Sequence, residues 1–255
     1  MRTLLLILLL LGISSSLLAS EVKTIHVFVA LCDNQNQGIV PVPSHLGNGQ
    51  DPASNLYWGA AYGVKSFLRY KSDEWIYVKR VEVDNPMILE RILFKHRSGE
   101  AYLLADAYDG RHIRSCIVDF LYASNYQRNQ WVTHEDDSIP FGGASDLVAY
   151  CGHDGLMEFD VAPNMKSSKK SMPAIVLACY SKDFFYQPLL NSGAQPWLWT
   201  THLMAPEAYT LVAALEGWLK GETPKQVEER AAQAYNRYQK CGINGARNLF
   251  TTGFN

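Results

Sequence analysis

The sequence is poor in cysteine and in net charge, and each shortage excludes a class of protein. Five cysteines in 255 residues, with no Cys-x-x-Cys pair, are too few for a disulfide-held framework, so the core must hold the fold. The odd count leaves at least one cysteine free or paired between chains. A formal charge of −2 without a basic stripe argues against a nucleic-acid partner.

Familiar catalytic patterns are also missing. The chain contains no Gly-x-Ser-x-Gly, no phosphate-binding loop, no His-Glu-x-x-His and no dinucleotide-binding fingerprint. Serine hydrolase, nucleotide-binding and zinc-protease functions therefore have no support in the sequence. We expect no metal and no cofactor.

Apolar residues dominate the N-terminus. Met1 and Arg2 precede the apolar run Leu4–Leu11, and small residues follow from Ser14 to Ser20. This order is typical of a secretory signal peptide, and the run is too short for a stable membrane anchor. We expect residues 1–20 to be the signal. Residues 21–255 then form one secreted or periplasmic domain, with no stable membrane anchor after signal removal.

The rest of the chain alternates between strand and helix patterns. A composition of 47% hydrophobic and 19% charged residues suits a single α/β domain with a full core. β-Branched and aromatic runs predict strands over 24–31, 75–83, 101–108, 147–150, 174–178 and 196–200. Helical periodicity and capping residues predict helices over 56–70, 111–123, 182–190, 206–219 and 224–239. Segment 88–94 fits either element, 125–143 reads as a loop, and the tail 244–255 as a strand or a loop. The alternation indicates a three-layer α/β sandwich with a mostly parallel sheet.

Two of the predicted strands end in reactive residues. Leu147 to Tyr150 run into Cys-Gly-His-Asp-Gly, which places His153 just past a strand, and the next apolar run ends at Cys179. Ligands bind beyond the carboxyl ends of strands in open α/β sheets. Neighbouring strands would therefore bring an imidazole and a thiol to one edge, as nucleophilic catalysis requires.

This pair of segments resembles the caspase-like superfamily of cysteine peptidases, which includes caspases, legumain, gingipains and separase. The matching residues are His153 with Gly155, and Ala178 with Cys179. The resemblance implies a caspase-like fold, a peptide or protein substrate and a cysteine endopeptidase-like hydrolase with catalytic His153, Cys179 and Gly155. Cys179 would attack the peptide carbonyl and His153 would protonate the leaving amine. Backbone N–H groups of Cys179 and of the turn after His153 would hold the oxyanion.

The resemblance also places two loops beside the substrate. The loop after the first strand carries Asp33 and Asn34, and the segment after the late strand carries Thr201 and His202. We expect these four residues to contact the substrate. An acidic group such as Asp33 predicts a preference for Arg or Lys before the scissile bond, by charge-assisted hydrogen bonding.

Two other functions remain open. Asp154 stands directly after His153, where the family usually has glycine, so the chain is alternatively a non-catalytic caspase-fold domain that binds a peptide or a partner. Cys151 and His153 lie two apart and would face the same side of a strand, so with Asp154 they form an alternative metal-dependent hydrolase site. For the peptidase, Cys179 must stay outside any disulfide, because the nucleophile is the thiolate.

Overall fold

A central eight-stranded sheet organises the chain in the computed structural model, which describes residues 22–167 and 170–254. The expected signal at residues 1–20 lies outside the described residues. The strands are β1 (Lys23–Ala30), β2 (Trp75–Arg80), β3 (Ile88–His96), β4 (Ala101–Tyr108), β5 (Gln130–His134), β6 (Asp137–Phe141), β7 (Leu147–Cys151), β8 (Pro173–Leu177), β9 (Gln195–Thr200) and β10 (Phe250–Thr251).

The strand order is β10-β9-β8-β7-β1-β4-β3-β2. The central strands β9, β8, β7, β1 and β4 are parallel to one another, whereas β10, β3 and β2 join the edges antiparallel. β5 and β6 form a separate antiparallel hairpin. The predicted α/β class with a mostly parallel sheet is confirmed.

Helices cover both faces of this sheet. They are α1 (Val64–Tyr70), α2 (Ile113–Ser124), α3 (Ser181–Ser192), α4 (Ala208–Leu219), α5 (Pro224–Gln239) and α6 (Ile243–Leu249). Successive side chains of a strand point to opposite faces. Val27 and Val29 therefore pack with residues of α1, α4, α5 and α6, whereas Phe28 and Ala30 pack with α2 and α3. None of the helices in the described ranges is both long and apolar enough to cross a bilayer.

The helix predicted over 56–70 is wrong in its first half, since only Val64–Tyr70 is helical. Asn55 is the physical reason, because its side-chain oxygen accepts the N–H groups of Cys32 and Tyr57 and so organises a turn instead. Gly59 also falls in this stretch, and glycine weakens a helix by about 1 kcal/mol relative to alanine.

The loop predicted over 125–143 is wrong, whereas the strand alternative for the tail is confirmed at Phe250–Thr251, after a helix that was not predicted. Segment 125–143 forms the β5–β6 hairpin because Val132 and Ile139 bury against Leu93 and Leu104 of the sheet. The tail forms α6 and the short strand β10. The ambiguous segment 88–94 is part of strand β3.

Candidate active site

His153 and Cys179 follow neighbouring strands, as the two apolar runs predict. β7 and β8 pair in parallel, and Cys151 is opposite Leu177 at the last paired position. His153 and Cys179 each lie two residues beyond that pair, at the carboxyl edge of the sheet. This is the edge at which α/β proteins place their ligands.

The turn that carries Cys179 is tied to strand β9. Ser181 and Thr200 exchange hydrogen bonds: the Thr200 N–H donates to Ser181 Oγ at 2.9 Å, and the Ser181 N–H donates to Thr200 Oγ1 at 3.3 Å. The Thr200 hydroxyl also donates to the Ala178 carbonyl. Tyr180 adopts left-handed backbone angles (φ 48°) and donates its N–H to His202 O at 3.0 Å. Non-glycine residues in this region are held under strain, and such strain concentrates at functional sites.

The Cys179 sulfur is half-buried and faces the backbone of Met204. The thiol donates to Met204 O at 3.5 Å, and the Met204 N–H points to the sulfur at 3.4 Å. Burial raises the pKa of the Cys179 thiol, the Met204 N–H opposes this, and the negative charge of Asp154 adds to the rise. Burial thus favours the protonated thiol, so a base is needed to make it a nucleophile.

The His153 ring is buried and bonded to an acidic side chain that the sequence analysis missed. Its Nε2 lies 2.5 Å from Glu158 Oε1, and the residue is 8% exposed. A neutral imidazole donates to this carboxylate from Nε2, which leaves Nδ1 as the unprotonated acceptor. The Tyr150 hydroxyl donates to His153 O at 2.6 Å and fixes the backbone beneath the ring.

Glu158 is held in turn by the loop after β1. The Gly38 N–H donates to Glu158 Oε1 at 2.7 Å. A Cβ at Gly38 would lie only 2.4 Å from the same oxygen, so glycine is needed for this approach. The sequence gives no signal for the contact, because the two residues are 120 positions apart.

Asp154 and Gly155 shape the turn after the histidine. Asp154 is fully buried: its Oδ1 accepts the Leu156 N–H at 3.0 Å, whereas Oδ2 is buried without a hydrogen-bond partner among the described residues. Burial raises the pKa of this carboxyl to about 7. Gly155 leaves room for the Phe159 ring, which a Cβ would meet at 2.6 Å. Its N–H donates to His153 O at 3.2 Å and is thus engaged in the turn.

Asp33 and Asn34 were expected to contact substrate, but the hydrogen bonds of their side chains in this structure are to residues of their own loop. Asp33 is 1% exposed, and its carboxylate accepts hydrogen bonds from the backbone N–H groups of Gln35 and Asn36 and from the side chains of Asn36 and Gln50. Asn34 exchanges two hydrogen bonds with the backbone of Val42. These contacts hold the 33–50 loop together, and the predicted preference for Arg or Lys stays a prediction.

Thr201 and His202 lie beside the turn of Cys179. The hydroxyl of Thr201 contacts His202 Nδ1 and donates to Asn248 O, both at 2.7 Å. The His202 ring is 6.0 Å from the Tyr180 ring, centroid to centroid. A groove of about 380 Å³ adjoins them and is lined by His202, Leu203, Tyr235, Cys241, Gly245, Asn248 and Leu249. Leu203 in this lining directly precedes Met204, whose backbone contacts the Cys179 sulfur.

Comparison of the chain with family models, with curated proteins and with solved structures finds no match. The geometry of the carboxyl edge therefore carries the functional argument alone.

Cys151 and His153 do not form a metal site. Its thiol is buried among core residues and donates to Pro206 O at 3.1 Å, and burial raises its pKa to about 12. Among the residues that the structure describes, one group of His, Cys, Asp or Glu brings three ligand atoms together, and it excludes Cys151, His153 and Asp154.

The five cysteines all fall in the described ranges and all carry free thiols, as predicted for Cys179.

Proposed function

We propose that the chain is a secreted or periplasmic cysteine endopeptidase-like hydrolase, with Cys179 as the nucleophile and His153 as its base and acid. The observation that supports this most directly is their equivalent position beyond adjacent parallel strands. The strained residue after Cys179 and the tie between Ser181 and Thr200 hold the thiol at the sheet edge. The apolar N-terminus supports secretion.

The reaction starts from the neutral thiol. Nδ1 of His153 accepts the proton as the Cys179 sulfur forms a bond with the carbonyl carbon of the substrate. The tetrahedral intermediate then breaks its C–N bond, and the amine leaves with the proton from His153. Water attacks the remaining thioester, releases the acid and restores the thiol.

Glu158 acts as the positioning residue of this pair. Its carboxylate fixes the imidazole tautomer and stabilises the imidazolium that forms when Cys179 loses its proton, the role of the acid in a triad. The peptide substrate occupies the groove beside His202 and Leu203. Its lining is largely apolar and uncharged apart from any charge on His202, and Leu203 is 68% exposed there.

Labelling with a thiol-directed peptidyl probe tests the proposal. An acyloxymethyl ketone peptide is expected to modify one thiol, which peptide mass spectrometry assigns to Cys179. His153→Ala is expected to slow labelling by about 100-fold or more, the usual contribution of a general base. Cys241→Ala is the matched control, because Cys241 is the exposed free thiol on the same groove.

A non-catalytic binding domain is the second candidate, favoured by the raised pKa of Cys179 and by buried Asp154. In that case the folded protein binds a peptide in the groove but Cys179 labels no faster than in urea-unfolded protein. Equal labelling of Cys179 in the wild type and in His153→Ala would likewise exclude the peptidase.

A further inference from the structure

A second cluster of functional side chains lies at the opposite edge of the sheet from Cys179. Glu74 precedes β2, His96 ends β3 and Glu216 belongs to α4, and one ligand atom from each lies within 4.8 Å of the other two. We propose that these three side chains bind one divalent zinc ion. The site is independent of the proposed peptidase chemistry.

The spacing of the two inner donor atoms, on His96 and Glu216, matches a zinc polyhedron. Nitrogen and oxygen ligands about 2.0–2.1 Å from a tetrahedral zinc ion lie about 3.3–3.4 Å from one another. His96 Nε2 and Glu216 Oε2 are 3.3 Å apart, and His96 Nε2 and Glu74 Oε2 are 3.9 Å apart. Glu74 is 52% exposed, so a change of its side-chain rotamer closes the remaining gap.

Both inner ligands are oriented by a further partner, as in known metal sites. Ser98 Oγ lies 2.7 Å from His96 Nδ1 and can accept the proton of an imidazole that binds metal through Nε2. That protonation would replace the 3.3 Å hydrogen bond that Nδ1 accepts from the Ser98 N–H. Trp75 Nε1 donates to Glu216 Oε1 at 3.1 Å, which leaves Oε2 to face the ion. The side chains of His96 and Glu216 are only 11% and 10% exposed, so these orientations are constrained.

Charge and access also suit a cation. Two carboxylates and a neutral imidazole balance the charge of a divalent ion. A cavity of about 400 Å³ reaches His96 and Glu216 and leaves space for a water molecule as fourth ligand. Lys23, Lys220 and Glu100 line the same cavity. The ammonium of Lys23 is engaged by Leu219 O at 3.4 Å and by the Trp218 ring at 4.7 Å.

The donor set indicates zinc rather than a hard cation. Calcium takes six to eight oxygen ligands and magnesium takes octahedral oxygens, whereas an imidazole with carboxylates suits zinc. The ion would connect helix α4 to the β2–β3 hairpin at the edge of the sheet. Its binding would therefore add to the stability of the whole fold.

Metal titration of the chelator-treated full chain tests the site. We expect one zinc ion per chain in competition with a chromophoric chelator, and a visible d–d spectrum of tetrahedral cobalt without a thiolate-to-cobalt charge-transfer band. Free zinc at 100 times Kd is expected to raise Tm by about 5–10 °C. Cys179→Ala serves as the background, so that zinc bound by that thiol is not counted.

The variants separate a metal site from a simple ion pair. His96→Gln and Glu216→Gln are expected to abolish the cobalt spectrum, and Ser98→Ala to weaken zinc binding about 10–100-fold. Glu74→Gln changes an exposed side chain and should weaken zinc binding without unfolding the protein, whereas exposed Glu82→Gln is the neutral control. The same affinity in Glu74→Gln, His96→Gln and wild type, or a cobalt spectrum with thiolate ligands, would overturn the proposal.

Discussion

Asp154 is the buried carboxyl group next to His153, and its protonation affects stability. Its pKa in the folded chain is raised to about 7, so the folded state holds a proton that the unfolded state releases near pH 4. The unfolding free energy is therefore expected to fall with rising pH, by about 1.4 kcal/mol per unit between pH 4 and 7 from this group.

Asp154→Asn removes that titration. Urea unfolding at pH 5 and pH 7 is expected to show a smaller loss of stability in the variant than in the wild type, by up to about 2–3 kcal/mol. Exposed Asp160→Asn is the control and should keep the wild-type difference. An unchanged pH dependence in Asp154→Asn would mean that the carboxyl is solvated in the folded state.

Glu158 offers a second test at the scale of single residues. Glu158→Gln loses the charge that orients His153, so the rate of probe labelling at Cys179 is expected to fall at least about 10-fold. Gly38→Ala should act in the same direction, because its methyl group would lie only 2.4 Å from Glu158 Oε1 and would push the carboxylate away. Gly217→Ala is the matched control, since its Cβ would likewise meet a carboxylate oxygen, Glu222 Oε2 at 2.7 Å, but in helix α4 and outside the groove.

Glu158→Gln and Gly38→Ala perturb the same contact in two ways. Both weaken the contact between Glu158 and the His153 ring and leave the Cys179 turn intact. Labelling at the wild-type rate in both would show that Glu158 has no part in the reaction.

Strands β1, β3 and β4 share a buried ionic cluster. Arg91 donates to Asp106 from Nε at 2.6 Å and from a terminal nitrogen at 2.5 Å, and His26 Nε2 is 3.1 Å from the same carboxylate. Burial pushes the pKa of Asp106 up, but His26 and Arg91 outweigh it and hold that pKa at about 2. Burial lowers the pKa of His26, whose Nδ1 accepts the Gly142 N–H. The cluster thus fixes the register of three strands.

Arg91→Met tests the cluster, because it leaves the Asp106 charge buried without its strongest partner. The unfolding free energy is expected to fall by about 3–5 kcal/mol. Adding Asp106→Asn should recover part of that loss by removing the uncompensated charge. Chemical denaturation of the single and double variants measures both, and a double variant less stable than Arg91→Met would contradict the explanation.

The elements differ in how far the sequence predicts them. Strands β7 and β8 are continuous apolar runs that need only local pattern to be identified, and their adjacency brings His153 and Cys179 to one edge. The β5–β6 hairpin depends on packing against Leu93 and Leu104, which no local pattern reveals. Glu158 is likewise defined by a contact with a loop far away in sequence.

Of the three hydrophobic clusters in the described part of the chain, the two largest share the central strands of the sheet. Val27 and Val29 of β1 belong to the core beneath α4 and α5, and Phe28 and Ala30 of the same strand belong to the core beneath α2 and α3. β7 and β8 contribute to both cores in the same alternating way. Both cores therefore depend on the same strands, so the loss of these strands would disrupt both cores together.

We therefore expect the chain to unfold in one cooperative step. Tryptophans report both faces, since Trp58 and Trp218 lie in the first core and Trp199 in the second. Urea transitions followed by tryptophan fluorescence and by far-ultraviolet circular dichroism should coincide, and the calorimetric and van't Hoff enthalpies should agree. A strand that serves both cores cannot stay folded on one face alone. Two separated transitions would therefore contradict this expectation and show that parts of the sheet unfold independently.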